Sequence, residues 1–283
     1  MTLPAGFDVD DFVRRTLAED LGTGGDVTSN ATIPADAHFV AEMNARQEIV
    51  VAGIEIAAAF FRALDPEVRV EELTEDGSRV APGTVLMRLD GNARAMLTAE
   101  RSALNTLQHL SGIATLTRTY VDAIAGTGAV LIDTRKTIPG LRALEKYAVR
   151  MGGAQNHRMR LDDGVLIKDN HVAVCGGVAE AVRSAKAANT GLAVQVEVDR
   201  IAQIEPALEA GADRLLLDNM DPAMLRQAVK LVDGRVPLEA SGGVTLETIR
   251  SIAETGVNFI SVGRITQSAP AVDIGLDYSM KSR

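Results

Sequence analysis

The 283-residue sequence holds one cysteine, Cys175, no tryptophan, and only 3% aromatic residues. A single thiol excludes an intrachain disulfide framework and suits a reducing cytoplasm, where the chain is expected to work. So few aromatic rings leave no base-stacking platform for single-stranded nucleic acid. Positive charge is not in excess either: 29 Lys and Arg against 38 Asp and Glu give a net charge of -9, so no general basic surface meets a phosphate backbone. No apolar run approaches the length of about 18 residues that crosses a bilayer. The opening segment, MTLPAGFDVDDFVRR, lacks the basic and apolar regions of a signal peptide. What is present, 46% hydrophobic and 24% charged residues, is ordinary for a soluble chain with a substantial core.

The first 110 residues read differently from the rest. Between residues 8 and 21, Val9, Phe12, Val13, Leu17 and Leu21 recur at helical spacing, with acidic residues in the first turn. The short alternating segments FVAEMNA, QEIVVAG, VRVEEL and TVLMRLDG follow, separated by turn formers, and predict a small antiparallel sheet with a helix across one face. The stretch EDGSRVAPGTVLMRLDG has the hairpin rhythm of a lipoyl-type domain, but no lysine sits at a hairpin tip, so the segment is read as structural. From Ala99 to about Ala125 the pattern is helical.

Beyond that point AVLIDT, GVLIKDN, AVQVEVD, RLLLDN, VPLEASGG and NFISVG alternate with amphipathic stretches, the pattern of a parallel sheet covered by helices. Glu197, Asp218 and Glu239 are spaced 21 residues apart, a register that favours an α/β barrel. Residues 111–270 are short for eight such units, so six or seven parallel strands are expected. The tail, residues 271–283, is expected to pack back on the domain formed by residues 1–110.

Barrel active sites lie at the C-terminal ends of the strands. Each strand here ends in polar groups: Asp133 to Thr137, Lys168 to His171, Glu197 with Asp199, Asp218 with Asn219, Glu239 to Gly243, and Ser261 to Arg264. Between residues 133 and 168 eight Lys or Arg face four acids, in a protein that is otherwise acidic. Arg135, Lys136, His157, Arg158 and Lys168 fall on strand ends or on the loop MGGAQNHR, and such a cluster suits a ligand with several negative charges. Arg142, Lys146 and Arg150 recur at helical spacing and are read as a solvated helix face. Ser241-Gly242-Gly243 and Ser261-Val262-Gly263 close the last two strands and offer backbone N–H groups for a phosphate. Glu197 and Asp218, on adjacent strands, could hold Mg2+, accept from ribose hydroxyls, act as a general base, or simply pair with Lys168 or Arg135. His109, His157 and His171 share no ligand spacing, which argues against zinc.

Taken in order, EDLGTGGDVTS, ERSALNTLQHLSGIAT, DTRKTIPGLRALEKYAVRMGGAQNHRMRLDDGVLIKDNH, VEVD, LLLDN, LEASGGV and SVGRIT resemble the quinolinate phosphoribosyltransferase family across nearly the whole chain. The resemblance implies an N-terminal α/β sandwich joined by the C-terminal tail, an open α/β barrel, and a homodimer whose active site is completed by the partner's N-terminal domain. It implies a pentosyltransferase that joins quinolinate and phosphoribosyl pyrophosphate (PRPP), with Mg2+, to give nicotinate mononucleotide, pyrophosphate and CO2 in de novo NAD synthesis. It carries quinolinate binding onto Arg135, His157, Arg158 and Lys168 with Thr134 beside them, and onto Arg101 across the dimer. Lys136 is implied at the phosphoribosyl donor, Glu197 and Asp218 at the ribose and its metal as catalytic groups, and Ser241 to Gly243 with Ser261 to Gly263 at the 5′-phosphate. The nearest alternative is a related phosphoribosyltransferase acting on another aromatic acid such as nicotinate. A Schiff-base aldolase using Lys168, or a sensor of a phosphorylated metabolite, are more distant ones.

Overall fold

The computed structural model describes residues 6–279; the first five residues of the opening segment and the last four of the tail lie outside the described residues. Two compact units are formed. One comprises residues 6–118, 143–153 and 268–279, and the other residues 119–142 and 154–267.

In the first unit, helix α1 (Val9–Leu21) starts where the Asp8 carboxylate accepts the backbone N–H of Asp11, and α2 (Val27–Thr32) where Asp26 accepts that of Ser29. Strands β1 (His38–Ala45) and β2 (Ile49–Val50) lead to helix α3 (Ile54–Leu64). Strands β3 (Arg69–Glu72), β4 (Arg79–Val80) and β5 (Val85–Asn92) lead to the long helix α4 (Ala93–Ala123). β1 lies antiparallel between β5 and the C-terminal strand Ile274–Ser279, and β3 completes the four-stranded sheet on the far side of β5. Met43, Phe60, Phe61, Met87, Leu89 and Met96 are fully buried in this unit, because alternate strand positions and one stripe of α3 are apolar. Phe12 of α1 meets Phe60 edge to face, with ring centroids 6.0 Å apart.

The second unit is built on β6 (Val130–Ile132), β7 (Val165–Ile167), β8 (Val194–Val198), β9 (Arg214–Asp218), β10 (Leu238–Ser241) and β11 (Phe259–Ser261). These are the six apolar segments read from the sequence. They form one parallel sheet in the order β6-β11-β10-β9-β8-β7. Every consecutive pair is adjacent except β6 and β7, which stand at the two edges. That is the order of a barrel opened between its first two strands. Gln155 adds a single parallel bridge to Ile132 at the free edge of β6.

One expectation is corrected. The helix α5 (Arg142–Met151), read as presenting Arg142, Lys146 and Arg150 to solvent, is buried from Leu144 to Val149, and Lys146 is 0% exposed. Charged residues are buried when they are partnered. Glu145 lies 3.0 Å from His109 Nε2, and Lys146 is partnered as well. Arg142 is half-buried and donates to Thr137 Oγ1 and to the Met159 carbonyl. Charge spacing alone cannot distinguish such a helix from a wet one.

Close approach requires glycine at position 112 of α4, where a Cβ would lie 2.2 Å from the Pro270 carbonyl oxygen. The neighbouring segment is tied to the same helix, since Gln108 donates to the Ile274 carbonyl and accepts from Val272 through its own carbonyl. Helix propensity favours Ala over Gly by about 1 kcal/mol. The clash and the loss of those bonds oppose it by roughly 2–4 kcal/mol. Gly112→Ala is therefore expected to melt below the parent in thermal denaturation, and an unchanged or higher midpoint would show that the segment yields freely.

Candidate active site

Residues two apart on a strand share a face. Leu166 with Lys168, Leu216 with Asp218, and Glu239 with Ser241 thus line one cavity at the C-terminal ends of the strands, of about 640 Å3. Its size lies within the roughly 300–1,000 Å3 of small-molecule sites.

One wall is cationic. After β6 the chain turns on Thr134, whose hydroxyl accepts the Lys136 backbone N–H at 3.0 Å. Thr266 Oγ1 donates to the Lys136 carbonyl at 2.8 Å. The Lys136 stem runs across Gly263, where a Cβ would come within 2.9 Å of Lys136 Cδ. Arg135 Nε is buried with no hydrogen-bond partner among the described residues. Arg158 donates to the Gly164 carbonyl at 2.8 Å. Its pKa is lowered, first by burial and then by the neighbouring charge of Arg135, with Asp163 opposing. Two guanidinium groups that repel each other, one with an unused buried donor, form a receptor for anionic oxygens.

Two carboxylates line the same cavity. Burial raises the pKa of Glu197, the charge of Asp218 raises it further, and Lys168 opposes. Burial also raises Asp218, against a hydrogen bond from Asn219 and the charges of Lys168 and Lys136. Asn219 Nδ2 lies 2.6 Å from Asp218 Oδ2. Asn219 itself adopts a left-handed conformation at φ 54°, and a Cβ on Gly242 would lie 2.2 Å from its side-chain oxygen. Gly242 and Gly243, both at positive φ, turn the chain after β10 and lay their backbone at the cavity. Hard oxygen donors in a pair suit Mg2+. No group of three or more His, Cys, Asp or Glu that could hold a metal converges among the described residues.

Below the mouth the barrel interior is polar. Asp133 is fully buried and accepts the His157 backbone N–H at 2.8 Å and Asn156 Nδ2 at 2.7 Å. His157 Nδ1 accepts the Arg158 backbone N–H at 2.7 Å, and Nε2 lies 3.1 Å from Gln195 Oε1. Gln195 Nε2 donates to Glu239 Oε2 at 2.7 Å. Arg214 forms an ion pair with the same oxygen at 2.8 Å and stacks 4.0 Å from the Phe259 ring centroid. Burial pushes the Glu239 pKa up, but the hydrogen bond and the charge of a protonated His157, then the charge of Arg214 and the hydroxyl of Ser261, outweigh it and hold it below the usual carboxylate range.

Of the residues singled out in the sequence, Thr134, Arg135, Lys136, His157, Arg158 and Lys168 line this cavity, as do Glu197, Asp218, Ser241, Gly242, Gly243 and Ser261. Val262 is buried behind it, and Gly263 contributes through its contact with Lys136. Arg101 is exposed on α4 in the first unit. Gln195 and Arg214 escaped the sequence reading. The available signal was a polar residue inside an apolar strand, one pleat before Glu197 or two before Asp218.

Two family models match the chain: the quinolinate phosphoribosyl transferase N-terminal domain over residues 26–111 and the C-terminal domain over residues 113–277. The nicotinate-nucleotide pyrophosphorylase (carboxylating) of Mycobacterium leprae (strain TN) is 45% identical over 272 residues, covering 94% of this chain and 96% of its own. The chloroplastic protein of the same name from Arabidopsis thaliana is 42% identical over 289 residues, covering 95% and 82%. The solved structure of the nicotinate-nucleotide pyrophosphorylase from Francisella tularensis superposes with a TM-score of 0.92 at 41% identity, covering 96% of each chain.

The raised pKa values of Glu197 and Asp218 make this pair a liability at neutral pH. A carboxyl whose folded pKa is raised adds stability below its unfolded pKa, near 4, and loses it as pH rises through the folded value. Glu197→Gln is therefore expected to melt a few degrees above the parent at pH 7.5, with the gap closing toward pH 4. A lower melting point at pH 7.5 would mean that the pair is not in electrostatic conflict.

Proposed function

We propose, because the chain belongs to the quinolinate phosphoribosyl transferase family, that this cavity transfers the phosphoribosyl group of PRPP to quinolinate with decarboxylation, giving nicotinate mononucleotide, pyrophosphate and CO2 for NAD synthesis. The observation that carries the reading is the pairing of Arg135 and Arg158, with an unused buried donor on Arg135, in one cavity with the Glu197 and Asp218 carboxylates. Quinolinate brings two carboxylates, and the donor brings a phosphate and a pyrophosphate. A cavity lined by both cations and carboxylates serves both.

In this reading Arg135, Arg158 and Lys168, with Thr134, hold the carboxylates, and His157 shapes the floor beneath them. Lys136 meets the pyrophosphate, and Ser241 to Gly243 with Ser261 to Gly263 take the 5′-phosphate. The pyridine nitrogen bonds to C1 of the ribose as the C–O bond to pyrophosphate breaks and pyrophosphate leaves with the electron pair. Positive charge develops on the ribose, and Glu197 and Asp218 stabilise it. The ribosylated ring is then a pyridinium, an electron sink for the bond to the 2-carboxylate. CO2 departs, and a proton takes its place on C2. No side-chain nucleophile is needed, so the protein acts by positioning and electrostatics.

Glu197 and Asp218 are the groups that would hold Mg2+, directly or through water. When bound, the ion neutralises the phosphates of the donor. We also propose a cytoplasmic homodimer in which Arg101, exposed on α4, reaches the partner's cavity. No helix of the described residues is long and apolar enough to cross a membrane.

Incubation with PRPP, Mg2+ and quinolinate labelled in the 2-carboxylate tests the reading. Labelled CO2 and nicotinate mononucleotide are expected in equal amounts. Folded protein that yields neither would overturn it. Removing one member of a buried charge cluster costs about 2 kcal/mol or more, or roughly 30-fold. Arg135→Ala should raise the KM for quinolinate by at least that factor and change the KM for PRPP far less. Arg101→Ala should remain dimeric yet bind quinolinate poorly, and unchanged affinity would count against a shared site.

A further inference from the structure

Resting on the function just proposed, the geometry points to His157 as a neutral imidazole locked with its proton on Nε2, and to Gln195, Glu239 and Arg214 as the positioning residues that lock it. The ring then adds no charge to the substrate's carboxylates. It orders the backbone that carries Arg158.

Arg214 is a permanent cation. Its ion pair with Glu239 Oε2, at 2.8 Å, keeps that carboxylate ionised in a site where Glu239 is 1% exposed. An ionised carboxylate only accepts. Gln195, 2.7 Å from the same oxygen, must therefore present its amide nitrogen to Glu239 and its carbonyl oxygen to His157. A carbonyl oxygen also only accepts. At 3.1 Å from it, His157 Nε2 must carry a proton. On the other side of the ring, Nδ1 faces the Arg158 backbone N–H at 2.7 Å, and a donor cannot meet a protonated nitrogen. Nε2 is thus required to be protonated and Nδ1 to be bare. Each requirement comes from a different strand or turn.

The groups around the ring carry both signs. Glu239 comes from β10 at 3.5 Å, and Arg214 from β9 pairs with the same carboxylate oxygen. Arg158 follows His157 directly, with Arg135 close enough to lower the Arg158 pKa. Asp133 from β6 is occupied with the His157 backbone N–H and Asn156. The side chain of His157 is 13% exposed, so water does little to support a charged form. The consequence for the reaction is a division of labour. Charge for the aromatic acid comes from Arg135, Arg158 and Lys168, while the imidazole sets the direction from which Arg158 approaches.

Nitrogen-15 NMR of protein labelled at its four histidines tests this without any need for turnover. The His157 signals are identified by their absence in His157→Gln or, if that variant does not fold, by the slow solvent exchange of a buried Nε2 proton. One pyrrole-type nitrogen at Nε2 and one pyridine-type nitrogen at Nδ1 are expected at pH 7.5. An imidazolium pattern at that pH, or the proton on Nδ1, would overturn the inference. The positioning role is read from Gln195→Leu and Glu239→Gln, each expected to raise the KM for quinolinate at least tenfold while the KM for PRPP stays within threefold. Equal changes in both constants, or none, would overturn that role, and if neither variant folds the spectrum of the parent protein decides. Protein that shows the tautomer but makes no nicotinate mononucleotide would sink the proposed function and leave this assignment standing.

Discussion

The buried carboxylate of Asp133 accepts two hydrogen bonds from the Asn156-His157 turn, and the cationic wall depends on them. Asp133 directly follows β6, and Arg135 lies two residues on in the same excursion of chain. Arg158 belongs to a segment more than twenty residues later, beyond helix α5. The charge of Arg135 adds to burial in lowering the Arg158 pKa, so the two guanidinium groups are held close against their like charge. Tying the second segment to the free edge of β6, through Asp133 and the Gln155 bridge, brings them together before any ligand arrives.

The same logic governs the two carboxylates. Glu197 and Asp218 come from adjacent parallel strands and are partly buried, so neither carboxylate is comfortable ionised. One pocket therefore holds groups of both signs, each raised in energy by its own neighbours. A substrate pair that carries carboxylates at one end and develops ribosyl positive charge in the middle complements both. Placing the charges on strand ends fixes their distances, because a packed parallel sheet does not deform to let them drift apart.

Much of this was legible from the sequence. The six apolar segments that became strands are nearly continuous runs of Val, Ile and Leu, and the polar groups that follow them meet at one mouth because parallel strands share a direction. The Gly242-Gly243 turn was legible too, since few residues other than glycine take its backbone. What escaped has physical reasons. Gln195 and Arg214 sit within strands whose neighbours are apolar, so they look like isolated exceptions until the barrel closes them around Glu239. Lys146 on α5 looked solvated because charge spacing reports helix phase and not what the helix packs against.

The central claim is that the cavity recognises two carboxylates on one ring rather than one. It is tested most directly by comparing kcat/KM for quinolinate and for nicotinate, at fixed PRPP and Mg2+, in the same preparation. A site built around a charged group rejects the analogue that lacks it by a large factor, of order a thousandfold or more. The account predicts that quinolinate is favoured by at least that margin. Comparable values for the two acids would contradict it.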